Sequence, residues 1–306
     1  MKKSAFLLFF SFLLVFSLEL KAQSATGYAF LRTLVGARPS AMGGAFVGIQ
    51  GDIHNIFYNP AGLTPILKKQ GTASYLNHIL DFQSGFLAYV HPFSEGTGAV
   101  ALNFYDFGSF DGRDENNLPT GDFSANGLVF SAGYSRAVVK NLSVGATGKF
   151  IRFHIGDFTE TALALDAGII FSLPDQKLNI GAGVFNLGTT TSAFIETKDD
   201  LPVSLQIGAS KVLEHLPVMV SAALVKFEDE SLEYRFGGEI TVTEQLLVRL
   251  GYNSVGQDQK VDTDKDKFSG VSFGLGFKLN TFNIDYSLTS FGEVGSLNRV
   301  TLVGRF

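Results

Sequence analysis

VSFGLGFKLNTFNIDYSLT, residues 271–289, carries a period of two on both sides of one break. Val271, Phe273, Leu275, Phe277 and Leu279 alternate with Ser272, Gly274, Gly276 and Lys278; past Asn280, Phe282, Ile284, Tyr286 and Leu288 alternate with Asn283, Asp285, Ser287 and Thr289. Successive side chains of a strand point to opposite faces, so the stretch reads as two antiparallel strands joined by a tight turn. One face is apolar and the other is small, polar or charged. Residues 232–242 repeat the pattern, with Leu232, Tyr234, Phe236, Ile240 and Val242 opposite Glu233, Arg235, Glu239 and Thr241.

A half-buried strand in a soluble sandwich alternates in the same way, so number, length and spacing must decide. About fourteen candidate strands run from 71–80 to 297–306, most of them ten or more residues long. Strands of globular proteins average about five or six residues, whereas a tilted strand needs roughly nine to eleven to cross a bilayer. The connectors alternate too: Val138–Val139, Pro174–Asp175, Glu214–Leu216, Thr243–Glu244 and Asn280 are tight, while 107–122, 188–201 and 254–267 are long. All the long ones fall on one side, the asymmetry of outer-membrane barrels with periplasmic turns, outer loops and both termini in the periplasm. The chain ends on Phe306, an aromatic residue closing a strand, as in the signal that such barrels offer to their assembly machinery.

Inside hydrocarbon every backbone N–H and C=O needs a protein partner, so an antiparallel sheet must close on itself. The expected fold is all-β: a transmembrane antiparallel barrel of about fourteen strands over 67–306. Side chains alone fill the interior only up to about eight strands, so something else must occupy this lumen. Composition agrees with a lipid environment: 17% charged residues against about a quarter in soluble domains, with 34 glycines and 30 phenylalanines. The formal charge of −5 supplies no basic excess for nucleic acid, and the absence of cysteine removes disulfides, thiolate metal sites and thiol nucleophiles.

Residues 1–22 read as a secretory signal peptide: Lys2 and Lys3, an apolar run Ala5–Leu18, then Leu20-Lys21-Ala22. The apolar run is about 14 residues, short of the roughly 20 of a helical span. Residues 23–66 lack a strand pattern and are expected to fold into the barrel as a hatch or plug. Gly43 and Gly44 permit positive φ, Pro60 fixes its own φ and removes a donor, and Asn59 is pushed from the α region by the proline after it. Phe46, Ile49, Ile53, Ile56, Phe57, Tyr58 and Leu63 are too apolar for a solvated linker. No Gly-Lys-Ser/Thr or G-x-G-x-x-G is present to cradle a phosphate.

The run Gly36-Ala37-Arg38-Pro39-Ser40-Ala41-Met42-Gly43-Gly44-Ala45, followed by Asp52 and by Ile56-Phe57-Tyr58-Asn59-Pro60-Ala61-Gly62-Leu63, resembles the N-terminal signature of the PorV/PorQ family, itself related to FadL-type transporters of hydrophobic compounds. The resemblance implies a fourteen-stranded barrel with an N-terminal hatch, in which Gly43, Gly44, Asn59, Pro60 and Ala61 are hatch-forming positions. It further implies docking of partner proteins in type IX secretion or surface attachment.

Other chemistry is sparse. His54, His78, His91, His154 and His215 converge on no Ser/His/acid set by spacing; His154 with Asp157 is the candidate for a hydrolase, and a loop surface is the simpler reading. Asp262, Asp264 and Asp266 lack the glycine and terminal acid of a calcium loop and read as a solvated acidic loop, so no metal, cofactor or catalytic residue is assigned. Glu233, Arg235, Glu239, Arg249, Asp285, Arg299 and Arg305 fall on polar faces and are expected to pair across the lumen. A docking protein predicts a filled lumen. A carrier of hydrophobic solutes predicts a continuous apolar cavity beside Phe46, Phe57 and Tyr58. Lipid of the outer membrane is the expected surrounding in both.

Overall fold

The structure, a computed structural model, describes residues 27–77, 82–194, 198–228, 230–259 and 264–306; the expected signal peptide, His78 and Asp262 lie outside them. Fourteen strands form the wall: β1 (Gln70–Asn77), β2 (Gln83–Phe93), β3 (Gly96–Arg113), β4 (Pro119–Val139), β5 (Leu142–Ile155), β6 (Phe158–Leu173), β7 (Leu178–Ser192), β8 (Ser204–Val212), β9 (Val218–Phe227), β10 (Glu233–Thr241), β11 (Leu246–Asn253), β12 (Val271–Lys278), β13 (Phe282–Ser290) and β14 (Ser296–Arg305). Each pairs antiparallel with its neighbour in sequence, and β1 pairs with β14, so the sheet closes into a barrel with no free edge.

The quoted stretch forms β12 and β13, paired Phe273 with Leu288, Leu275 with Tyr286 and Phe277 with Ile284. Phe273, Phe277, Ile284 and Tyr286 point outward and are exposed, while Ser272, Asp285 and Ser287 point inward and are buried. The same division runs round the barrel: Tyr234, Phe236, Leu250, Val300 and Leu302 are exposed beside buried Glu233, Arg235, Arg249, Arg299 and Thr301. Contiguous exposed apolar surface on this scale marks a non-aqueous neighbour, and a closed sheet is the form in which strands meet one.

Connector lengths set two ends apart. Ser94–Glu95, Lys140–Asn141 and residues 279–281 are tight turns at the end that also holds Gln70 and Arg305. The opposite end holds the described residues 193–194, 198–203, 254–259 and 264–270, and, as a correction to the expected loops, less coil than alternation suggests. Most of 107–122 is strand: β3 runs on to Arg113 and β4 starts at Pro119, with a register shift between Asp106 and Ser109 and with Phe110 stacked on Phe123 at 5.4 Å. Part of 188–201 likewise belongs to β7, where the Thr191 and Ser192 hydroxyls each bond the Thr161 hydroxyl of β6. The wall is therefore tall at β3–β7 and low at β8–β13.

Residues 27–66 lie inside the barrel. They include two short helices, α1 (Ala37–Ala41) and α2 (Asn55–Tyr58), and a 3₁₀ turn at Pro60–Leu63. Apolar side chains of this segment pack on inward-facing wall residues in two main groups. Val35, Ile53, Ile56, Leu63 and Ile66 meet Phe86, Val90, Ala101 and Val303. Tyr28, Phe30 and Leu31 meet Tyr105, Val129, Ile151 and Phe153 near the loop end.

Candidate functional site

The segment is tied to the wall on all sides by polar contacts whose positions follow from inward-facing register. Ala37 N donates to Thr301 Oγ1 at 2.8 Å, Ser210 Oγ donates to Gly48 O at 2.8 Å, and Thr147 Oγ1 donates to Ile56 O at 3.3 Å. Asn59 does most: its Nδ2 donates to Val47 O at 2.7 Å and to Ile169 O at 3.1 Å, and its Oδ1 accepts from Ala61 N at 3.1 Å. A single side chain thus caps the Pro60–Leu63 turn, closes the segment on itself and fastens it to β6. Pro60 suits the first position of that turn because its missing N–H is not needed there.

Gly43 and Gly44 adopt φ of +63° and +75°, the left-handed region that glycine enters at little cost. Gly43 also sits against bare wall: a Cβ on Gly251 of β11 would lie 2.1 Å from Gly43 N. Two backbones meet there because neither carries a side chain. Phe46 and Tyr58 are buried with ring centroids 5.2 Å apart, and Phe57 packs edge-on to Tyr58 at 5.0 Å. Burial pushes the Tyr58 phenol up, and its hydroxyl donates to Val35 O while accepting from Val35 N.

The lumen charges form separate sets. In the first, Arg38 grips Glu239 through Nε and Nη2, both at 2.8 Å, and reaches Asp52 through Nη1 at 2.9 Å. Glu239 also accepts from Arg249 Nε at 2.6 Å, and Arg249 Nη1 donates to Asp285 Oδ1 at 2.6 Å. Burial alone would raise the Asp52 carboxyl, but His54, whose Nδ1 lies 2.7 Å from it, and Arg38 hold it far below the ordinary carboxylate range. In the second set, nearer the loop end, Arg32 pairs with Glu230 and, at 3.3 Å, with Glu233, which accepts from Arg235 Nη2 at 2.6 Å. A third links Lys149 to Asp166 at 2.6 Å and to Asn186 at 2.8 Å in the β5–β7 wall.

Arg299 belongs to none of these sets. Its guanidinium donates to Ser40 Oγ and, at 2.5 Å, to Leu34 O, and it makes no ion pair among the described residues. Arg305 bonds Asn283 Oδ1 at 3.2 Å, and Phe306 is exposed, its N–H donating to Lys69 O.

The lumen is packed on the β2–β8 side and open on the β10–β14 side. A cavity of about 620 Å³ occupies the loop-end half, lined by Arg32, Leu34 and Phe82, by Glu233, Arg235 and Asn253, and by Ser272, Phe291, Leu297 and Arg299. A second, of about 150 Å³, lies toward the turn end among Arg38, Asp52, Glu239, Arg249, Asp285 and Arg305. Residues 34–41 and the Arg38–Glu239–Arg249 set lie between the two. Neither cavity is lined by Phe46, Phe57 or Tyr58, which corrects the expected position of an open space: those rings pack into the lumen interior, and the larger cavity lies beside Arg32, Leu34 and Arg299.

Sequence reasoning missed Arg32, Arg38, Asp52, Glu230, Lys149 and Asp166 as partners. A signal existed for two of them, since Arg38 and Asp52 are the only Arg, Lys, Asp or Glu residues within 33–67. His154 Nδ1 lies 3.0 Å from Thr159 Oγ1, an ordinary cross-strand contact. Asp266, expected on a solvated loop, is buried and accepts from Glu293 N at 3.2 Å, so it braces the 264–268 turn against 292–294.

The chain matches no protein-family model and no curated protein. Among solved structures, the toluene transporter TodX of Pseudomonas putida superposes with a TM-score of 0.60 at 13% identity over 88% of this chain and 96% of that one. The toluene transporter TbuX of Ralstonia pickettii gives 0.59 at 12%, and a FadL homologue of Pseudomonas aeruginosa 0.58 at 11%, each over 89% of this chain and 98% of the other. The fold is thus that of FadL-like barrels.

Proposed function

We propose that the chain is an outer-membrane channel for hydrophobic small molecules, with the turn end in the periplasm, the loop end outside and residues 23–66 as its hatch. The observation that carries this reading is the cavity of about 620 Å³ in the loop-end half of the lumen, bounded by Leu34, Arg235 and Arg299. Its size suits a small organic ligand, for which pockets of about 300 to 1,000 Å³ are usual. An apolar exterior belt suits lipid, and the fold is shared with barrels described as toluene transporters. Passage to the periplasm then needs α1 to shift and the Arg38–Glu239 contact to open.

The docking role in type IX secretion draws only on the resemblance of residues 36–63 to PorV/PorQ chains. A filled lumen was its expectation, and the open β10–β14 side favours the channel. Proteoliposomes test the choice: the protein should carry labelled toluene or a similar neutral solute across the bilayer, faster after removal of residues 23–66. Absence of flux, together with secretion proteins that co-purify from native membranes, would replace the channel with the docking role.

A further inference from the structure

We infer that the β3–β4 ribbon at the loop end is a docking edge for another protein: residues 119–123 of β4 take an added strand that alternates basic with apolar side chains. The inference goes beyond the channel reading and does not depend on it.

The ribbon stands above its neighbour in the wall. β5 pairs with β4 only from Ala125, opposite Ile155, and the last contact on that side is Gly156 N donating to Ser124 O at 2.9 Å. Among the described residues, no strand pairs with 119–123 on the side away from β3. The backbone groups of a strand point alternately to its two sides. Ser124 O points to the β5 side, so the N–H and C=O of Asp122 point the same way, into the open edge. Such an edge is a template for a further strand.

The two faces of the ribbon select that strand. Phe110 and Phe123 stack on one face and are both exposed. The other face carries Asp111 directly across from Asp122, also exposed. Because the backbone of Phe123 turns to β3, Asp111 and Asp122 form the non-hydrogen-bonded kind of pair, in which side chains are closest, and like charges placed so destabilise the ribbon. No cation relieves them. Residues 106–124 hold Asp106, Asp111, Asp114, Glu115 and Asp122 against Arg113 alone, and none of these forms an ion pair among the described residues. Arg113 instead donates to Asn117 O at 3.2 Å. This balance decides the occupant: a second copy would bring the same carboxylates to the edge, and anionic lipid would be repelled by them. A strand with a lysine or arginine beside Asp122 and an apolar side chain beside Phe123 satisfies both faces while it fills the edge.

Three synthetic peptides of equal length test this on the protein in phosphatidylcholine nanodiscs, with empty nanodiscs as the blank. One alternates lysine with valine, one has glutamate in place of lysine, and one carries the lysines and valines of the first in two separate blocks. The alternating cationic peptide should bind several-fold tighter than the block peptide and about ten-fold or more tighter than the anionic one, as two exposed charge pairs can supply. D111N/D122N should weaken it about three-fold or more at low salt, and less at about 1 M, where the screening length is about 3 Å. Hydrogen exchange gives a readout that charge attraction alone would not move: the amide of Asp122 should gain protection when the peptide is bound. Equal binding of the three peptides to wild type overturns the inference, and so does bound peptide without protection of Asp122. A dimer of the protein that D111N/D122N strengthens would assign the edge to a second copy and overturn it as well. The wild-type comparison needs no variant, so a misfolded D111N/D122N does not protect the inference.

Discussion

Arg38 of α1 and Glu239 of β10 meet side on, with Nε and Nη2 each 2.8 Å from a carboxylate oxygen, 201 residues apart in sequence. This contact joins the lumen segment to the wall at the boundary between the two cavities. Removal of one partner leaves the other with a single opposite charge, Glu239 with Arg249 or Arg38 with Asp52, and so costs only part of the about 3 to 5 kcal/mol of a buried charge left wholly unpaired. R38M and E239L should each raise ion conductance in planar bilayers. The double variant R38M/E239L should conduct less than either single variant, with a coupling energy that a double-mutant cycle extracts from the open fractions.

Asn59 gives a second test. Its amide donates to Val47 O and Ile169 O, so Asn59→Ala removes the bonds that hold the 3₁₀ turn on β6. Loss of two or three buried hydrogen bonds predicts about 2 to 4 kcal/mol less protection of residues 47–66. Asn59→Asp should be worse than alanine, since it aims a carboxylate at two carbonyl oxygens. Hydrogen exchange of the segment, read against exchange of β4–β6 as an internal reference, checks both.

Much of this architecture is legible in the chain because a strand between lipid and lumen has a period of two. Phe236 and Arg235 face opposite ways for that reason, and the same rule sets the inward side of β10–β14. Alternation says which face a residue takes and nothing about what stands opposite. Arg32, Arg38 and Asp52 come from a segment without a period, and their partners are fixed only once that segment crosses the lumen. Arg299 illustrates the limit: spacing groups it with Arg249 and Asp285, yet the offset of one strand and the position of Leu34 set it apart. The extra length of β3 and β4 was hidden because glycine, aspartate and asparagine at 108–117 read as coil, while the Phe110–Phe123 stack that holds the ribbon together is a cross-strand contact.

Gly251 shows how little room the interface leaves. A Cβ there would lie 2.1 Å from Gly43 N, a backbone atom that no rotamer change can move aside. Gly251→Ala should lift α1 from β11 and raise conductance while the barrel still assembles, because the register of β11 with β10 and β12 is untouched. Gly148→Ala is the control: nothing lies within 4 Å of its Cβ position, and the variant should behave as wild type.

Asp52 predicts a pH dependence with a definite sign. Its carboxyl is held well below the ordinary value by His54 and Arg38, so ionisation favours the docked segment. A depressed folded-state value contributes stability that is complete above the unfolded value of about 3.9 and is lost as pH falls below it. Conductance should stay flat from neutral pH down to about pH 5 and climb below about pH 4. Asp52→Asn should raise the neutral baseline and flatten the acid rise; an acid rise of the same size in this variant would assign the effect to other carboxylates.

Leu250 and Arg249 are neighbours on β11 that face opposite solvents. Arg249 is buried between Glu239 and Asp285, and Leu250 is exposed on the belt, opposite Gly238 of β10 and Phe273 of β12. If lipid covers that belt, Leu250→Arg places a guanidinium in hydrocarbon and should cost about 2 to 4 kcal/mol near the bilayer midplane. Folding equilibria in phospholipid vesicles, followed by the shift in electrophoretic mobility between folded and heated protein, measure the loss. In an aqueous sandwich an exposed leucine replaced by arginine would change stability by less than about 0.5 kcal/mol, so a null result here would argue that water and not lipid bathes the outer face.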